Sequence, residues 1–123
     1  MPAGRKFQRV KVSLLAGFKE DEETKVHKTR LLDLSAGGAR LIAAEIIPVG
    51  TRLTVQIKNP EKGEVIETMG YVVRYKKMDQ ENGYEVALRF MGMKKEVATA
   101  IGEIVHVVER EERIQKILRE GKK

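Results

Sequence analysis

Two short groups of residues carry side chains whose types and spacing could do chemistry together. Arg5 and Arg9 bring two guanidinium forks, and Asp33, Ser35 and the pair Gly37-Gly38 bring a carboxylate, a hydroxyl and a turn. The planar donor fork of arginine binds phosphate through two hydrogen bonds or reaches the O6 and N7 acceptors of guanine. A lysine at position 5 or 9 would keep the charge and lose that geometry. An ionised Asp33 only accepts hydrogen bonds, which suits the donor-rich N1 and N2 edge of guanine. Ser35 either donates to a phosphate or pins the turn. Gly37 and Gly38 let the backbone take a positive φ or come close to a ligand. The set fits a small phosphate ligand bearing guanine, gripped and not transformed.

The two groups differ in information. With ten Arg among 123 residues, one arginine pair at this spacing is expected roughly once by chance. Asp and Ser are rare here, at three and two against eleven Gly. Random order would produce Asp33-x-Ser35-x-x-Gly38 about 0.004 times per chain. The second group therefore carries most of the weight.

Catalysis finds few residues to use. With no cysteine, disulfides, thiolate nucleophiles and Cys-based zinc sites are excluded. His27 and His106 are the only histidines, and neither has a nucleophile or metal-ligand cluster near it in sequence. Both read as structural or surface histidines, and no cofactor is expected. The formal charge of +6 points to an anionic partner without naming it. Arg5, Lys6, Arg9 and Lys11 form a basic arm, and Glu20–Glu23 a solvated acidic turn.

These residues need a scaffold, and 123 residues suffice for one domain with one modest core. Period-two alternation marks its strands: Val10, Val12, Leu14; Leu53, Val55, Ile57; and Tyr84, Val86, Leu88, Phe90. Further strands fit Thr24–Leu32, Ala39–Ala43 and Ile66–Tyr75, with Tyr71, Tyr75 and Tyr84 in patterns that bury them. Turns at Gly37-Gly38, Pro48–Gly50, Asn59-Pro60 with Gly63, and Asn82-Gly83 separate the strands. The expectation is an antiparallel barrel or sandwich of about six strands, closed to remove its edges.

After Gly92 the period changes. Lys94–Arg119 lacks proline, and Val97, Ile101, Ile104, Val105 and Val108 keep the spacing of an amphipathic helix. The apolar stripe thins at Glu109–Arg113 and resumes at Ile114, Ile117 and Leu118. The first half is expected on the barrel. The second half either pairs with another copy, giving a homodimer, or is a frayed, charged tail. No apolar run reaches the roughly 20 residues of a membrane span. The opening residues lack a signal-peptide core, so a cytoplasmic location is expected.

Arg5…Arg9 followed by Asp33-x-Ser35-x-x-Gly38 resembles the signature of the PilZ domain, a bacterial receptor module for cyclic di-GMP. Val49-Gly50-Thr51, Gly70–Arg74 and Gly83–Phe90 resemble that family's later strands, so the likeness covers about residues 5–108. It implies a mainly β fold, a six-stranded antiparallel barrel with a C-terminal α-helix, binding cyclic di-GMP on its outer surface. Carried over by position, the ligand residues are Arg5, Arg9, Asp33, Ser35 and Gly38, with Lys6, Gly37 and Arg74 as secondary candidates. Gly4 stands where some relatives carry an arginine that favours an intercalated ligand pair, which leaves one or two ligands open.

The resulting division is a basic arm over 1–9, barrel and packed helix over 10–108, and a charged helical tail over 109–123. The ligand is expected to order the arm, which then presents a new surface to a protein partner. Motility, exopolysaccharide or biofilm control is the process the resemblance implies. Two other readings stand beside it. One is a PilZ-like adaptor that binds protein and no nucleotide. The other is a barrel for single-stranded nucleic acid, which ordinarily needs more exposed aromatics than a chain with 5% Phe, Trp and Tyr supplies.

Overall fold

The computed structural model describes residues 10–79 and 82–120, the first four of these by backbone alone. Six strands form in chain order: β1 (Val10–Glu20), β2 (His27–Leu34), β3 (Gly38–Ala43), β4 (Arg52–Lys58), β5 (Val65–Lys77) and β6 (Tyr84–Met91). One helix, α1 (Lys95–Glu120), follows. Every neighbouring pair is antiparallel, and the order β1-β2-β3-β6-β5-β4 closes because β1 also pairs with β4. Closure leaves no unpaired strand edge, as the short alternating strands imply.

Alternation builds the core. Leu53, Val55 and Ile57 of β4 point inward and are fully buried, as are Leu31, Leu41, Val72 and Val86 from other strands. Ile101 and Ile104 of α1 join them. The β4–β5 turn is held by Asn59, whose Oδ1 accepts the N–H groups of Glu61 and Lys62 at 2.8 and 3.1 Å. The same turn reaches α1 through Arg110–Glu61 and Lys62–Glu103, at 2.9 and 3.6 Å.

Element bounds moved in informative ways. β1 runs on past Leu14 to Glu20, and β2 starts at His27 instead of Thr24. The stretch between is set by Glu23, whose carboxylate accepts the Glu20 N–H and pairs with His27, each at 2.9 Å. His27 thus begins its strand instead of lying mid-strand, half-buried and stacked on Phe18 with ring centroids 5.1 Å apart. β2 also continues through Asp33 to Leu34, so the carboxylate of the second motif sits on a strand. α1 runs without interruption across positions 108 and 109.

Candidate ligand-binding site

The second motif occupies the end of β2, the turn, and the start of β3. Ser35 makes that turn. Its Oγ accepts the N–H groups of Gly37 and Gly38 at 3.1 and 3.2 Å, while its own N–H donates to the Gly38 carbonyl at 2.9 Å. Of the two roles open to this hydroxyl, the fold assigns it the turn.

The glycines act differently from expectation. Gly37 and Gly38 do not have positive φ; Gly50, Gly63, Gly83 and Gly92 do. A Cβ on Gly38 would lie 2.1 Å from the Leu88 carbonyl oxygen. Gly38 is therefore needed for the close approach of β3 to β6, a contact within the barrel.

Asp33 is only 2% exposed. Its Oδ2 accepts a hydrogen bond from Arg40 Nε at 2.5 Å, and Arg40 Nη1 donates in turn to Glu85. Burial alone would lower the pKa of Arg40. The hydrogen bond and charge of Asp33, then those of Glu85, outweigh it and hold the guanidinium above its ordinary value. Arg40 stays charged and compensates the buried carboxylate of Asp33.

The sequence reading missed Arg40 and Glu85. A usable signal existed, because Arg40 lies two residues after Gly38 on an alternating strand whose Ala39 and Leu41 are buried. What could not be read was the register that sets Arg40 opposite Asp33 and Ala87 opposite Arg40.

Arg74 lies on β5, exposed, with β3 and β6 between it and Asp33. It is thus not on a strand adjoining the motif. Tyr75, expected to be buried, is 42% exposed and meets half-buried Tyr84 edge-on at 6.2 Å. It stands on the far stretch of β5, where every residue from Val73 to Lys77 is exposed.

Arg5, Lys6 and Arg9 lie outside the described residues. The backbone that follows them does not. Val10 pairs with Leu34, and Lys11 with Asp33. The described chain therefore enters the barrel at Val10, directly beside the second motif.

A groove of about 960 Å³ lies elsewhere, between α1 and Leu14, Pro60 and Glu61, and no residue of the second motif lines it. The motif residues instead belong to the barrel's β2–β3 corner. Among the described residues, no group of three or more His, Cys, Asp or Glu could hold a metal ion. No described helix is long and apolar enough to cross a membrane.

The family model described as the PilZ domain matches residues 4–111, which takes in both motifs and the whole barrel. The chain belongs to the PilZ domain family. Solved structures share its fold. The PilZ domain of YcgR from Escherichia coli, solved with c-di-GMP, aligns with a TM-score of 0.75 at 19% identity, over 92% of this chain and 97% of that one. The Bacillus subtilis inhibitor of motility aligns at 0.74 and 20% identity, over 91% of this chain. This chain spans about half of that protein, 53% of its length. A PilZ protein from Xanthomonas campestris, described as a tetramer self-assembled through a helical bundle, aligns at 0.67 and 14% identity, over 87% and 90%. No curated protein sequence matches at a significant level.

Proposed function

We propose that this PilZ domain is a receptor for cyclic di-GMP that signals by binding and does not catalyse. The observation that carries this reading is the β1–β2 register. It sets Val10, the residue that follows the arginine motif in sequence, opposite Leu34 and Lys11 opposite Asp33. Arg5 and Arg9 then supply guanidinium forks for phosphate and guanine, and Asp33 accepts from a guanine edge. The ligand fixes residues 1–9 against the barrel, and the surface so formed engages a protein partner. Motility, exopolysaccharide or biofilm control is the proposed output, and the likeness to a Bacillus motility inhibitor supports the first of these. We also assign the outward apolar stripe of α1 to a second copy of the chain.

The Asp33–Arg40 pair favours a second reading, a PilZ adaptor that binds protein alone, because that carboxylate is already engaged within the fold. Calorimetric titration with cyclic di-GMP, with GTP as control, separates the two. Saturable micromolar or tighter binding, abolished by Arg5→Ala or Arg9→Ala, is the expected result. Absence of heat at high concentration, or full affinity in both variants, sinks the receptor reading.

A further inference from the structure

Strict alternation would turn both Asp33 and Arg74 into the core. Leu31 and Val72 point inward and are fully buried, and the residue two further on should follow them. Each strand instead carries a bulge at that step. Leu31 and Asp33 pair with consecutive residues Leu41 and Arg40, and Val72 and Arg74 pair with consecutive residues Leu88 and Ala87. Leu32 and Val73 are the inserted residues. Such bulges interrupt the ladder and re-aim the side chain that follows.

Their joint effect is one cross-strand row. Asp33, Arg40, Ala87 and Arg74 stand side by side on β2, β3, β6 and β5. The neighbouring row holds Gly38, Arg89, Tyr71 and Arg52 on β3, β6, β5 and β4. Val86 and Leu88 are buried in the core, so Ala87 and Arg89 belong to the outer face. Residues paired in register share a face, which brings Arg74 to it as well.

The charges on this face are unequal in their needs. Arg40 is held by Asp33 and Glu85, and Arg52 by Asp21 at 3.2 Å. Arg74 and Arg89 are exposed, and neither makes an ion pair among the described residues. They are diagonal neighbours across β5 and β6, about 7–8 Å apart at the backbone, within reach of long side chains converging on one group. Two like charges so placed repel, and an anion between them relieves that repulsion. Ala87 sets nothing larger than a methyl between Arg40 and Arg74. From β2 to β5 the row spans roughly 14 Å, a length that suits two linked nucleotides better than one.

We infer that Arg74 and Arg89 are ligand-binding residues that hold a phosphodiester of a guanine dinucleotide whose base is read at Asp33, so that the site crosses four strands. This rests on the receptor reading above. It adds Arg89, gives the secondary candidate Arg74 a defined role beside it, and gives the two bulges a purpose.

Calorimetry with cyclic di-GMP on Arg89→Ala, Arg74→Ala and the double variant tests it, with Arg9→Ala alongside and melting temperatures as the folding control. Each single variant should lose about 10-fold or more in affinity, the range of a charge-assisted contact. The double variant should lose more, and Arg89→Lys should recover part of the loss. Melting temperatures should stay unchanged, because both side chains are exposed. If the double variant binds as tightly as wild type while Arg9→Ala has lost binding, the extended site is wrong and the receptor reading stands. If Arg9→Ala also retains full affinity, or wild type itself does not bind, both fail together.

Discussion

Asp33, Ser35 and Gly38 each do structural work before any ligand arrives. Ser35 satisfies two turn N–H groups, Asp33 neutralises Arg40, and Gly38 admits the Leu88 carbonyl. The motif therefore tests differently from a set of pure contact residues. Gly38→Ala should destabilise the domain by about 1–3 kcal/mol, because the added methyl meets backbone that cannot rotate away. Urea unfolding measures it, and a stability equal to wild type would show that β3 and β6 can part cheaply. The types and spacing of these residues were legible because a carboxylate, a hydroxyl and glycines in so short a run are rare in this chain. Their partners were not. Arg40 and Glu85 lie 7 and 52 positions from Asp33, and only strand register brings the three together.

The strands themselves were legible wherever alternation ran unbroken, as in β4, where Leu53, Val55 and Ile57 all point inward. Bulges hid the rest. One inserted residue in β2 and another in β5 reverse the face of everything after them, and counting by twos cannot detect an insertion. That is why the period ends β2 at Leu32, one residue short of Asp33, and leaves Arg74 on no defined face. The β1–β2 connection gives a test at this scale. The Glu20 N–H, then His27, holds the half-buried Glu23 carboxylate below its ordinary value of 4.5. A lowered carboxylate contributes stability that is present above the ordinary value and fades as pH falls through the lowered one. NMR titration should find the Glu23 midpoint below 4.5, with the Glu20 amide shift following the same curve. A midpoint at or above the ordinary value would mean that the turn bond does not persist in solution.

At the scale of the whole molecule, α1 carries two apolar faces. Ile101, Ile104 and Val105 are buried on the barrel, whereas Ile114, Ile117 and Leu118 are 43%, 67% and 56% exposed. At about 100° per residue the second group lies roughly 140° around the axis from the first, so extending the helix does not bring it back to the barrel. Residues 110–120 are all exposed, and a helical segment that short is marginal in water without packing. A second copy supplies the packing and buries the same three side chains twice. Half-burial of six such groups yields about 5–8 kcal/mol before the cost of association, which is of similar size. The dimer should therefore be weak, forming only at roughly millimolar concentration and above. Sedimentation velocity across that range should show concentration-dependent association, and Ile117→Glu should abolish it without changing the monomer's melting temperature. A monomer at every concentration, with and without cyclic di-GMP, would leave α1 without a homotypic partner. The outward stripe would then have to serve another protein.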